Sequence, residues 1–103
     1  MKYYMNTYSI ESHFIVAVCD ESLIGKSFRE NNKVLDLQSN AGFYKGTLVE
    51  IEDVKKAIPS ATTLNLVGEC IIKEAIMNEW CNESNILYID GIPHLQIYKC
   101  FFR

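Results

Sequence analysis

Closely spaced cysteines are absent from this chain, and histidine is scarce. The chain has four cysteines and two histidines, and no two cysteines are separated by the two to four residues typical of a zinc knuckle. The cysteines are Cys19, Cys70, Cys81 and Cys100. This spacing predicts no metal site, and we predict no other cofactor. Because the sequence shows no signal peptide, we predict that the cysteines are reduced thiols.

A long hydrophobic run is also missing. The apolar run from Phe14 to Cys19 is far shorter than the ~20 residues that cross a bilayer. The first residues, Met1 to Asn6, include no apolar segment followed by a small-residue cleavage site. The sequence thus predicts a cytoplasmic protein without a membrane partner.

An excess of basic residues is missing too. Ten lysines and arginines stand against thirteen acidic residues, which gives a net charge of −3. This balance excludes a protein that binds polyanions with its whole surface. Lys26, Arg29, Lys33 and Lys45 nevertheless fall within residues 23–47, which contain only two acids. A local basic patch is therefore predicted.

The chain does contain enough apolar surface for one folded unit. Of its 103 residues, 49% are hydrophobic, and cores divide only in chains more than about twice this long. We predict a single domain, residues 1–103, of the α+β class. In this fold one long and one short helix pack on a small, mostly antiparallel sheet.

Runs of aromatic and β-branched residues predict the strands. These are Lys2 to Tyr8, His13 to Cys19, Lys33 to Leu37, Phe43 to Val49, Ile86 to Ile89 and His94 to Phe102. The last two form a closing hairpin around the turn Asp90-Gly91, with Pro93 marking an interruption of strand pairing. The stretch around Lys26 is predicted to be an irregular loop.

Two segments have helical patterns. Glu50 to Ile58 carries acids in its first turn and lysines in its last, and Pro59 stops it. Leu66 to Cys81 has apolar residues at helical spacing, with Asn65 as its N-cap. The second segment is the predicted long helix.

The first candidate site surrounds Lys26. Gly25-Lys26-Ser27 resembles the end of a phosphate-binding loop, but the glycine required five residues upstream is replaced by Asp20. A nucleotide-binding loop is therefore excluded. Lys26 and Arg29 remain as exposed cations that can contact a phosphate or an acidic partner.

Two further motifs supply groups that bind ligands. Asn65, Gly68 and Glu69 are expected at the start of the long helix, where free backbone amides favour an anion; simple capping is the alternative. His94 and Gln96 lie two residues apart on a predicted strand and hence on one face, where an imidazole and an amide can recognise a base, an amide or a carboxylate. A hydrogen-bonded structural histidine is the alternative there.

Taken in order, the motifs VAVCDESLIGKSFRE, FYKG, NLVGE and IPHLQ resemble the archaeal family called domain of unknown function four-two-four. The resemblance covers essentially the whole chain and implies a small, single-domain, cytoplasmic archaeal protein. It brings no catalytic residue, cofactor or substrate. The positions to test are Asp20, Gly25, Lys26, Arg29, Asn65, Gly68, Glu69, His94 and Gln96.

These motifs predict a noncatalytic binding module associated with RNA or the ribosome, in archaeal translation or RNA metabolism. One alternative is a small enzyme that uses Cys19 or His94 on an unknown metabolite. Another is a module for protein interaction or dimerisation, anchored by exposed aromatic side chains such as Tyr3, Tyr44 and Phe102.

Overall fold

The computed structural model of the chain describes residues 1–39 and 41–98. Its strands are β1 (Tyr3–Ile10), β2 (His13–Asp20), β3 (Ser27–Glu30), β4 (Lys33–Asp36), β5 (Thr47–Val49), β6 (Thr63–Val67), β7 (Leu87–Ile89) and β8 (Ile92–Tyr98). Its α-helices are α1 (Ala41–Tyr44), α2 (Ile51–Ala57) and α3 (Glu69–Met77). Six strands form one sheet in the order β5-β1-β2-β6-β8-β7, and β3 pairs with β4 in a separate hairpin.

Strand pairing confirms the predicted α+β class with a mostly antiparallel sheet. Within the six-stranded sheet β2 and β6 run parallel, whereas the other four neighbouring pairs are antiparallel. A parallel pair needs a long crossover connection. Here the crossover contains the β3–β4 hairpin, α1, β5 and α2, so it supplies cover for both faces of the sheet.

The sheet separates two hydrophobic cores, because successive side chains of a strand point to opposite faces. The first face packs against α2 and α3, and its buried residues include Val16, Val18, Leu64, Leu66 and Leu95. The second face packs against the β3–β4 hairpin and α1, and its buried residues include Ala17, Cys19 and Val67. The polar side chains on the second face that the hairpin does not cover form the candidate functional site described below.

The predicted helix from Leu66 to Cys81 is wrong at both ends. Leu66 belongs to β6, and α3 begins at Glu69 and ends at Met77. Gly68, with a φ of 119°, is the residue that precedes the helix. Asn65 is therefore not an N-cap, because it lies in the middle of β6 with its side chain on the second face.

The predicted strand from Phe43 to Val49 is also wrong in part. Its beginning is the single-turn helix α1, and only Thr47–Val49 forms a strand. This turn of helix places Tyr44 in the core of the second face. The predicted strand did not indicate that position for Tyr44. Lys26 lies in a loop as predicted, but the strand Ser27–Glu30 follows it at once.

The predicted turn of the closing hairpin, Asp90-Gly91, is confirmed. Asp90 and Gly91 both have positive φ, 52° and 78°, as a tight hairpin turn requires. Pro93 does not interrupt pairing, since it lies opposite Tyr88 and its carbonyl oxygen accepts a hydrogen bond from the Gly68 amide at 3.0 Å. The predicted continuation of β8 to Phe102 lies outside the described residues.

The short helix is confirmed as α2. The backbone N–H of Glu50, just before its first turn, donates to the Asp53 carboxylate at 3.2 Å. Two of the aromatic anchors named for the interaction hypothesis, Tyr3 and Tyr44, are wrong, because both are buried. Phe102 lies outside the described residues.

Candidate functional site

Asp20 stands at the end of β2 and binds the first turn of α3. Its carboxylate accepts hydrogen bonds from the backbone amides of Cys70 at 2.9 Å and Ile71 at 3.0 Å. Burial raises the pKa of the Asp20 carboxyl, and the two amide hydrogen bonds oppose that rise. These helix amides are therefore used inside the protein, and this arrangement disfavours the predicted anion site there.

Gly68 is part of the same arrangement. A Cβ atom at this position would fall inside the van der Waals contact distance of Asp20 Cγ, and the positive φ of 119° also favours glycine. Glu69, the first residue of α3, is exposed, and its side chain has no hydrogen bond among the described residues. Asp20 and Gly68 thus form a structural joint between β2, β6 and α3.

Asn65, His94 and Gln96 come together on the second face. Asn65 of β6 lies directly opposite Gln96 of β8, and His94 lies one pair further along, opposite Val67. Residues opposite each other on paired strands share a face with Cβ atoms ~5 Å apart. The structure therefore gathers these three predicted residues into one polar cluster, although Asn65 reaches it from a strand.

The carboxamide of Asn65 has no hydrogen-bond partner among the described residues, although the residue is only 8% exposed. In the described part of the chain, every side-chain polar atom that is fully buried has a hydrogen-bond partner. The two amide atoms of Asn65 have no partner within that part, so they are not fully buried and both contact solvent. A neutral donor and a neutral acceptor are thus held at the bottom of the cluster. Because solvent reaches both amide atoms, a ligand can replace water there and form hydrogen bonds with them.

Gln96 and Tyr98 form the outer part of the cluster. The Gln96 amide nitrogen donates to the Tyr98 hydroxyl at 2.8 Å, and Tyr98 is 73% exposed. Tyr8 and Asn6 continue the polar and aromatic character across the sheet, because Asn6 lies opposite Ala17, the other neighbour of Asn65. The cluster therefore combines amides with an exposed aromatic ring.

His94 is half-buried, and burial lowers the pKa of its imidazole. The neutral form consequently predominates at neutral pH and offers one N–H donor and one acceptor. His94 makes no side-chain hydrogen bond among the described residues, so the alternative of a hydrogen-bonded structural histidine receives no support. The cluster as a whole presents neutral hydrogen-bonding groups.

Cys19 and His94 do not form a catalytic pair. Val67 is paired with both of them, so they lie two strand spacings apart, roughly 9–10 Å. Cys19 is fully buried, and burial raises the pKa of its thiol to about 12, with Asp20 as the second cause. A thiol that is protonated and closed off from solvent gives an enzyme based on Cys19 no support.

The β3–β4 hairpin carries Lys26 and Arg29. Phe28 points inward opposite Leu35, so Arg29, one residue on, points outward and is exposed. Gly25 has a φ of 91°, and its amide donates to the Leu37 carbonyl at 2.8 Å, which fixes the loop before β3. Across residues 1–39 and 41–98, no hydrogen bond or ion pair joins Lys26 or Arg29 to the polar cluster on the sheet.

Sequence reasoning missed a groove beside the outer half of β8. The groove has a volume of about 680 Å³ and lies between the segment after α3 and the end of β8. Its lining includes Trp80, Asn82, Asn85, Gln96 and Tyr98. The amide-rich stretch Asn82-Glu83-Ser84-Asn85 was a visible signal, but nothing in the sequence places it next to Gln96.

Two absences concern the described residues alone. None of the helices in this part of the chain is long and apolar enough to span a bilayer. Nor do its histidine, cysteine and acidic side chains gather in a group of three or more that could hold a metal ion.

Comparison with known proteins gives a family and a fold. The chain matches the model of a family described as "Protein of unknown function (DUF424)" over residues 8–100, and no curated protein matches it. The crystal structure of an uncharacterized conserved protein from Methanopyrus kandleri is similar, with 21% identity and a TM-score of 0.77 over 100% of this chain and 99% of that one. At this identity the similarity concerns the fold. The match confirms the resemblance that the motifs indicate, and the chain belongs to the DUF424 family of proteins of unknown function.

Proposed function

We propose that this protein is a noncatalytic RNA-binding module that takes part in archaeal translation or RNA metabolism in association with the ribosome. The observation that carries the proposal is the pairing of Asn65 with Gln96 on the second face, next to His94. Each of these side chains offers neutral donors and acceptors, which match the edges of unpaired bases.

Aromatic and basic groups around the cluster support RNA over other ligands. Tyr98 is exposed beside Gln96, and unpaired bases stack on such rings. Lys26 and Arg29 are exposed on the hairpin that covers the neighbouring part of the same face. In this proposal the sheet reads bases, while the hairpin cations contact phosphates of the strand that leaves the sheet.

Single-stranded RNA fits these groups better than a duplex. Asn65 and Gln96 lie opposite each other on one sheet face, and single-stranded bases splay outward so that their hydrogen-bonding edges are open. An overall charge of −3 is compatible with such a site, because only one face docks.

The charge part of the proposal is tested by removing both hairpin cations. The double variant Lys26→Ala/Arg29→Ala is compared with Lys55→Ala/Lys56→Ala, which removes two exposed lysines from α2 on the opposite side of the sheet. Binding of a fluorescent single-stranded RNA is measured by anisotropy at several salt concentrations. We expect the hairpin variant to bind about tenfold more weakly and to lose about 1.4 from the slope of log K against log salt.

Equal binding by the two double variants would refute a role for the hairpin cations.

The proposed association with the ribosome is tested by recovering the tagged protein from its own cells with and without nuclease. Ribosomal particles or a defined RNA should be recovered, and nuclease should release them.

A further inference from the structure

The groove beside β8 forms because β7 is shorter than β8. β7 pairs with β8 only from Ile92 to His94, so within residues 1–39 and 41–98 Gln96 to Tyr98 have a partner strand on one side alone, that of β6. The chain before β7 bends away through Asn82 and Asn85 instead of continuing the sheet. A space of about 680 Å³ is left between the two.

The lining of this groove is aromatic and amide-rich. Trp80 and Tyr98 supply rings, and Asn82, Asn85 and Gln96 supply carboxamides. Each carboxamide presents a donor next to an acceptor, which is the arrangement that pairs with the edge of a purine such as adenine. Among the described residues Glu79 is the only charged one that lines the groove, so none of them supplies a cation there to hold a phosphate.

Two aromatic rings line the groove, those of Trp80 and Tyr98. The Tyr98 hydroxyl accepts a hydrogen bond from the Gln96 amide nitrogen at 2.8 Å. Trp80 is partly buried against the core of the first face, and its backbone amide donates to the Ala75 carbonyl at 2.8 Å. Because the Trp80 side chain is already partly buried, it loses little freedom when a base stacks on it.

We infer that this groove holds one unpaired purine base of the RNA proposed above, stacked against Trp80 and Tyr98 and read by the surrounding carboxamides. The inference rests on the proposed function and extends it, because it adds Trp80, Asn82 and Asn85 to the binding surface. Gln96 connects the groove to Asn65, since it lines the one and lies opposite the other. The ribose and phosphates stay outside, towards solvent.

The chain has a built-in probe for this groove, because Trp80 is its only tryptophan. The purified protein is titrated with oligo(A), oligo(U) and an abasic strand, each of about eight nucleotides. Anisotropy of a labelled RNA reports binding of any kind, and Trp80 emission reports stacking in the groove. Tyr98→Ala is compared with Tyr88→Ala, which removes a tyrosine that is 56% exposed on the first face.

We expect oligo(A) to quench Trp80 emission more strongly than oligo(U), and the abasic strand to leave it unchanged. Tyr98→Ala should weaken oligo(A) binding about tenfold, while Tyr88→Ala should not. RNA binding without quenching, and without an effect of Tyr98→Ala, would overturn the groove assignment and leave the proposed function standing.

Two other outcomes also overturn the assignment. If no RNA binds by anisotropy, the proposed function fails and the inference fails with it. If Trp80 emission responds to an extended peptide, such as a Thr-Val repeat, and not to RNA, the groove is a site for strand addition to the free edge of β8.

Discussion

The carboxylate of Asp20 fills the space that a Cβ atom on Gly68 would occupy. Asp20 ends β2, Gly68 follows β6, and the two strands are parallel neighbours. From this position the carboxylate accepts the amide hydrogen bonds of Cys70 and Ile71 in α3. Asp20 and Gly68 therefore fix α3 against the sheet. The same sheet carries the polar cluster on its second face.

Adding a side chain at Gly68 should destabilise the fold. Gly68→Ala combines a clash with Asp20 and a positive φ of 119°, so we expect it to lower the free energy of unfolding by about 2–5 kcal/mol. The matched control is Gly91→Ala, where φ is 78° and no atom lies within 4 Å of the added Cβ. It should cost about 1–2 kcal/mol. Equal losses in urea denaturation would contradict the proposed clash.

Removing the carboxylate of Asp20 should loosen α3. Asp20→Ala leaves two backbone amides of the helix without their acceptor, and we expect a loss of about 1–3 kcal/mol in the free energy of unfolding. Asp20→Asn keeps one acceptor and should lose less. Urea denaturation of the two variants checks this order, and a wild-type stability for Asp20→Ala would show that the hydrogen bonds contribute nothing.

Cys19 should resist thiol reagents in the folded protein. It is fully buried, and burial raises its pKa to about 12, so neither access nor thiolate is available near pH 8. Cys81, which is partly exposed, serves as the internal reference. Iodoacetamide labelling followed by peptide mass spectrometry should modify Cys81 first and Cys19 only after denaturation. Rapid labelling of native Cys19 would reopen the enzyme hypothesis.

His94 should lower the stability of the fold as the pH falls below about 6.5. Because burial lowers its pKa below the ordinary value of 6.5, the folded state binds fewer protons than the unfolded state between the two values. The contribution of neutral His94 is present above pH 6.5 and is lost as the pH falls through the lowered pKa. In urea denaturation the wild type should therefore lose stability relative to His94→Gln between pH 7.5 and pH 5, values chosen about one unit or more from 6.5. A constant difference would refute the shift.

Much of the fold could be predicted from local patterns. The β1–β2 hairpin, α2 and the Asp90-Gly91 turn follow from residue alternation, end charges and glycine placement, and the structure confirms each. The extent of α3 could not be predicted in this way. Leu64 and Leu66 alternate as a strand while residues beyond them repeat as a helix, and only the conformation of Gly68 decides where one ends.

The candidate site was predictable in its residues more than in their roles. The sequence predicts Asp20 and Gly68 as binding residues, but in the structure the Asp20 carboxylate lies against Gly68 and accepts a hydrogen bond from the start of α3. The sequence predicts Asn65 as a cap, yet Asn65 lies opposite Gln96, which is far away in sequence. The groove at Trp80 could not be predicted, because it depends on how much shorter β7 is than β8.

The most direct test of the RNA-binding surface is an NMR titration of isotope-labelled protein with a single-stranded RNA of about eight nucleotides. The side-chain amide signals of Asn65 and Gln96 and the ring signals of His94 should shift, whereas backbone signals of α2 on the opposite face should stay unchanged. Shifts confined to α2 and α3, or no shifts at all, would contradict an RNA-binding role for the second face.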